Sequence, residues 1–302
     1  EAPNGVLWLD IENLNGDSTD QIQKLLQDVF GFHPLAVDDA LRETHLPKLD
    51  DWGDYLYIVF HGASIDPGNG NLNLNELDIF LGLNYLVTYH TEPLSFLEQE
   101  RKLIKPDDRC PIDQGPDYLL FRILERAADR SLEVIESLDE LVNETQDRII
   151  RNPRAHILHE ILRVKRSAIR LHRIFGPQRE VLNRLARDPY RPVQTAHQVY
   201  FRDIYDHIVR IHDVSESLRD LIAGTLDTYL TMLSNRTNEI MKTLTIVTVM
   251  CMPTSILVGF FGMNFFGDNL AFHTPLPRMF LFVSMLIAMV ATPTWMWFYA
   301  RR

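Results

Sequence analysis

The chain changes character near residue 242. Before that point apolar and charged positions interleave throughout. After it, residues 244–266 and 279–300 each run without one charged side chain. Each run is long enough for a helix to cross a hydrocarbon core of roughly 30 Å. With only 267–278 between them, they read as a transmembrane hairpin rather than as a buried helical pair of a soluble protein. The second run ends in Trp295, Trp297 and Tyr299 and is followed by Arg301 and Arg302. Interfacial aromatics followed by arginines mark the cytoplasmic side of a membrane, and Arg236 and Lys242 precede the first run in the same sense. The pattern therefore predicts a multi-pass protein of a cell (inner) membrane, with both termini cytoplasmic and the connection 262–278 outside.

The first hundred residues carry short elements of both kinds. "VLWLDI" (6–11) reads as a strand, and "STDQIQKLLQDVFG" (18–31) as a helix stopped by Gly31. "DYLYIVFHGASI" and "NELDIFLGLNYLVTYH" are rich in β-branched and aromatic residues, and the turn cluster "DPGNGN" between them predicts a hairpin. From Asp117 apolar residues recur every three to four positions, predicting helices over 117–151 and 154–187 broken at Pro153. After Pro192 no proline appears until Pro253. That permits one helix from about 195 to about 261, roughly 100 Å long, which reads as a stalk running into the membrane. The organisation predicted is a cytoplasmic α/β domain (1–110), an antiparallel helical hairpin (111–192) and a stalk continuing into the first span (193–261). An external loop (262–278), a second span (279–300) and a basic tail (301–302) follow. The chain starts at Glu1 without Met, so further native residues are expected before it.

The stalk keeps a heptad register. Asp206, Asp213, Asp220 and Asp227 are seven apart, and the same step reaches Ser234, Met241, Thr248, Ser255 and Gly262. A companion stripe holds Asn238, Thr245, Met252 and Gly259. Ile204, Ile208, Ile211, Val214, Leu218 and Leu221 form a separate packing face. A heptad stripe stays on one side of a gently supercoiled helix. In a spanning helix, hydroxyls and small residues avoid lipid and face other helices or water. Two helices cannot enclose a pore, so a conducting chain must oligomerise. Close helix packing without a pore uses the same small residues and stays open as an alternative.

Composition narrows the partners. The net charge is −11, which disfavours nucleic acid and suits cations. Cys110 and Cys251, the two cysteines, lie far apart and form no disulfide framework or cysteine zinc site. "HILHE" (156–160) lacks the order of a zinc protease, and neither a nucleophile elbow nor a nucleotide-binding loop is present, so no enzyme is expected. A non-conducting two-span sensor or scaffold remains the reading from a different class.

"YFRDIYDH" (200–207), "SNRTNEIMKTLTIVTVMCMP" (234–253) and Gly262-Met263-Asn264, followed by a second apolar run, resemble the CorA family of magnesium channels. "GFHPLAVDDAL" (31–41) resembles that family's N-terminal helix motif. The resemblance implies a homopentamer in a lipid membrane that takes up Mg2+, with Co2+ and Ni2+ as further cargo. Five long helices would surround the pore, and the Gly262-Met263-Asn264 ring would select the hydrated ion. Mg2+ dehydrates reluctantly, so uncharged amide oxygens that grip its water shell suit the task. The family's pore-lining positions fall on Asn238, Met241, Leu244, Thr248, Met252 and Ser255. Its regulatory divalent ions, bound between neighbouring protomers, match Asp39 and Asp203, with Asp38 and Glu125 as a second set. One departure concerns the outer loop. Asp268 is its only acid and His273 is new, where the family often carries glutamates. Imidazole tolerates softer ions, so Zn2+ or Co2+ transport, as in relatives of the ZntB type, is the alternative within the family.

Overall fold

The computed structural model describes residues 5–14, 19–42, 46–66, 68, 70–103, 114–151, 155–262 and 275–300. Its elements are β1 (Leu7–Glu12), α1 (Thr19–Lys24, continued by a π-helical turn over Leu25–Val29), α2 (Pro34–Arg42), β2 (Lys48–Asp51), β3 (Tyr55–Ile65), β4 (Leu72–Gly82) and β5 (Tyr85–His90). The helices α3 (Ser95–Leu103), α4 (Pro116–Arg151), α5 (Ala155–Arg187), α6 (Gln198–Gly262) and α7 (Pro275–Ala300) follow. The chain divides into two compact units, Glu1–Tyr229 and Leu230–Arg302.

In the first unit the strands form one sheet in the order β1-β5-β4-β3-β2, parallel only at the β1–β5 pair. The expected hairpin is β3–β4, running in register from Tyr55↔Gly82 to Ile65↔Leu72. Because cross-strand partners share a face, Tyr55, Tyr57, Val59, Phe80, Val87 and Tyr89 point together. Ile22, Leu26, Phe32, Ala36, Val37 and Ala40 of the α1–α2 layer close over them. Phe32 stacks on Phe80 at 4.3 Å between ring centres. The helix that begins at α1 ends where Gly31 takes φ 70°, a left-handed conformation that favours glycine.

The opposite face of the sheet receives α4 and α5. Here β3 outruns its neighbour, since β2 pairs only as far as Val59. The backbone groups beyond would be orphaned at a cost of about 1–3 kcal/mol each. Side chains from the helices complete them. Gln178 of α5 accepts from His61 N at 2.9 Å and donates to His61 O at 3.1 Å. Ser131 of α4 accepts from Ala63 N at 2.9 Å.

Within the first unit α6 buries Phe201, Ile204, Ile208, Ile211, Ser215, Leu218, Ile222, Thr225 and Tyr229, a strict alternation of three and four. The packing face therefore turns through Ser215 and Ile222, and Val214 and Leu221, expected on it, are half-buried flanks. The apolar pattern missed Ser215 and Thr225 because both are polar. Their hydroxyls donate to the carbonyls of His212 (2.7 Å) and Leu221 (2.8 Å), which makes burial affordable.

In the second unit no described residue of α6 over 230–262 is buried by the chain. The helix continues through Pro253. Among the described residues α6 is the one helix long and apolar enough to cross a membrane, and α7 carries a shorter apolar stretch, Phe282–Ala291.

Candidate ion path and regulatory carboxylates

The heptad positions of α6 divide at the unit boundary but remain outward throughout. Asp206, Asp213, Asp220 and Asp227 are all exposed, opposite the buried stripe. Asn238, Met241, Leu244, Thr248, Met252, Ser255 and Gly262 are exposed as well. Met241, Leu244 and Met252 leave more than half of their surface uncovered, at 54%, 57% and 59%. Thr248 and Ser255 donate their hydroxyl protons to the carbonyls of Leu244 (2.9 Å) and Cys251 (3.0 Å). With the proton committed to backbone, each oxygen has only lone pairs to offer, which suits a cation or its water. Met263, Asn264, Asp268 and His273 lie outside the described residues.

The four carboxylates matched to the regulatory sites fall in two places. Asp38 and Asp39 sit on α2, whose Ala36, Val37 and Ala40 are spent on the core, leaving both acids on the outer side. Each has a cation from its own chain. Arg42 pairs with Asp38 at 2.8 Å, one helical turn on, with both side chains half or more exposed. Lys48, the first residue of β2, forms an ion pair with Asp39 and a second with Asp50 at 3.1 Å. Its ammonium stands 5.1 Å from the centre of the Tyr57 ring. Burial pulls Lys48 toward neutrality, but hydrogen bonds to Asp39 and Asp50 outweigh it and hold the amine above the usual lysine range.

Beneath this group lies Asp78, fully enclosed, accepting a hydrogen bond from Tyr57 Oη at 2.6 Å. Burial first, and Glu76 second, keep its carboxyl well above the usual carboxylate range. The same burial, with Asp78 beside it, raises the Tyr57 phenol.

Glu125 and Asp203 are brought together across α4 and α6. Burial raises the Glu125 carboxyl; Asp129 and Asp203 push it further while Arg122 and His207 oppose. Arg122 stands 3.5 Å from Glu125 but is also held at 3.3 Å by the buried Glu100. His207 lies 3.6 Å from Asp129. Asp203 is exposed. Among the described residues no group of three or more His, Cys, Asp or Glu side chains is arranged to hold a metal ion within one chain. The carboxylates are hard oxygen donors of the kind Mg2+ takes. Lys48, Asp50 and Asp129 were not singled out in the sequence. "PKLDD" (47–51) carries the first two, but nothing local ties it to Asp39.

Comparison with known proteins is consistent along the chain. Residues 3–302 match the family described as CorA-like Mg2+ transporter protein. The cobalt/magnesium transport protein CorA of Thermotoga maritima is 30% identical over 258 residues, 85% of this chain and 73% of that protein. The complete structure of the CorA magnesium transporter from Methanocaldococcus jannaschii superposes with a TM-score of 0.78 at 20% identity, covering 95% of this chain and 88% of the other. The ZntB cytoplasmic domain from Vibrio parahaemolyticus gives 0.61 at 17% identity, covering 76% and 88%. The match over nearly the whole length, together with an α/β unit that feeds one long outward-striped helix, shows that the chain belongs to the CorA-like Mg2+ transporter family.

Proposed function

We propose that this family member, a divalent cation transporter and not an enzyme, is a homopentameric Mg2+ channel of the cell (inner) membrane with both termini cytoplasmic. The observation that carries the reading is the second half of α6. It is continuous with the cytoplasmic unit, it is not buried by its own chain, and its outward stripe is uncharged and oxygen-bearing. Five such helices around an axis, with α7 as the second span in lipid, give that stripe something to line. Asn238, Thr248 and Ser255 would then meet the hydrated ion, and Met241, Leu244 and Met252 would form constrictions that close by dewetting. Asn264, with Gly262 and Met263, would form the entrance ring. Asp268 is the one acid left to attract cations outside it. Asp39 with Asp203, and Asp38 with Glu125, would bind Mg2+ between protomers. Ion binding offsets carboxylate repulsion and holds the assembly closed, and ion loss restores it.

His273 favours a second reading, transport of Zn2+ or Co2+. Competitive uptake of Mg2+, Co2+ and Zn2+ into proteoliposomes at set pH separates the two. Preferential Mg2+ uptake supports the first; preferential Zn2+ uptake replaces it with the second; absence of any divalent uptake removes the channel reading.

A further inference from the structure

The four regulatory carboxylates differ in what their own chain already gives them. Arg42 is 62% exposed and its pair with Asp38 is open to solvent, where such pairs count for little. Arg122 is committed to Glu100, which is fully buried, and its contact with Glu125 is secondary. Lys48 is different. Its side chain is 28% exposed and Asp39 is 35% exposed, so the pair is sheltered on both sides. A second carboxylate and an aromatic face hold the ammonium where it is. Its position is set by β2, which pairs with β3 from Lys48↔Val59 onward.

We propose that Lys48 is a tethered competitor for the ion at Asp39, and that it sets the divalent concentration at which the regulatory site fills. The inference rests on the regulatory reading of Asp39 given above. A divalent ion reaching Asp39 meets a carboxylate whose charge is already offset. It must displace the ammonium, or share the carboxylate with it at short range and bear the repulsion. Because the backbone of Lys48 is fixed in β2 opposite Val59, its ammonium returns to Asp39 without any diffusional search. Asp50 is the second seat: it keeps the ammonium close by when the ion has taken Asp39. The site therefore binds weakly enough to empty when the cytoplasmic ion falls, which a ring of bare carboxylates would not do.

The test is equilibrium dialysis of the full chain in detergent against Co2+ at fixed ionic strength. Asp39→Asn defines the ion held through Asp39 as the portion of bound Co2+ that it removes. Lys48→Gln is expected to tighten the dissociation constant of that portion about three- to tenfold, the range of a sheltered ion pair. Lys48→Arg keeps the charge and is expected to stay within about twofold. Asp50→Asn leaves Lys48 in place with one carboxylate fewer, and is expected to weaken Co2+ binding about two- to threefold. In the Lys48→Gln background its effect is expected to fall below about twofold, because it acts through the lysine. Asp50→Asn alone carries the test if Lys48→Gln does not fold: tighter or unchanged binding there contradicts the proposal. Unchanged or weaker binding in folded Lys48→Gln, with Asp39→Asn still removing its portion, overturns the role of Lys48 and leaves Asp39 as a ligand. If Asp39→Asn binds as much Co2+ as the parent chain, the regulatory reading of Asp39 falls and the proposal falls with it.

Discussion

The two halves of α6 share one backbone and one register but live in different surroundings. Up to Tyr229 the helix spends one face on Phe201, Ile204, Ile208, Ile211, Leu218 and Ile222, all buried within the chain, and turns its aspartates outward. Beyond Leu230 no described position is buried, and the outward stripe changes from aspartate to Met, Thr and Ser. The comparison teaches that burial in a single chain separates two kinds of apolar residue. Those in the first half hold the unit together. Those in the second half need surroundings the chain does not supply, which in the proposed assembly are lipid and neighbouring copies.

The sharpest test of that contrast is a matched pair. Leu218→Ala removes a fully buried side chain and is expected to cost about 3 kcal/mol, read as a fall of several degrees in thermal unfolding. Leu244→Ala, at a position 57% exposed, is expected to change stability by less than about 1 kcal/mol and to alter ion flux instead. Equal losses of stability in the two variants would erase the distinction between the halves. Next in size, Asn264→Ala is expected to lower Mg2+ uptake by at least about tenfold, the loss of roughly 1.4 kcal/mol of ion stabilisation. Unaltered uptake would remove the ring from the account and leave the second half of α6 as a packing helix.

A third test probes the sheet on which the packed unit is built. The Asp78 carboxyl titrates higher in the folded chain than in the unfolded one, so the folded state is the tighter proton binder. Its stabilising contribution is complete below the ordinary aspartate range and is lost as pH rises through the raised folded value. Asp78→Asn keeps the shape and cannot ionise. It is expected to raise stability by about 1 kcal/mol at the alkaline end of the range and to make no difference in acid. A benefit that grew toward acid would reverse the sign and refute the buried, protonated carboxyl. The smallest effect belongs to Asp203→Ala, in the packed half but on its exposed face. It is expected to leave fold and flux intact and to raise the internal Mg2+ needed for half-inhibition about threefold. Unchanged inhibition would exclude Asp203 from regulation.

Much of this was legible in residue order. The β3–β4 hairpin announced itself through "DPGNGN", and α6 through the proline-free interval before Pro253. The packing face of α6 was legible only in part, because Ser215 and Thr225 satisfy their hydroxyls inside the helix and pass for surface residues. The carboxylates proposed as regulatory were reached by resemblance, and their neighbours were not reached at all. Lys48 is nine residues from Asp39 and belongs to a different element, β2 rather than α2. Gln178 completes the backbone of His61 from 117 residues away.

Local periodicity and charge spacing depend only on neighbours within a few positions, so the chain alone determined a long striped helix, a charge-free run from residue 244 onward and an α/β unit before it. Which carboxylate carries a counter-ion, and which strand ends are closed by helix side chains, depend on groups far apart in order. Only the tertiary structure decided those, because laying α2 against the sheet and α5 across β3 is what turns remote residues into partners at hydrogen-bond distance.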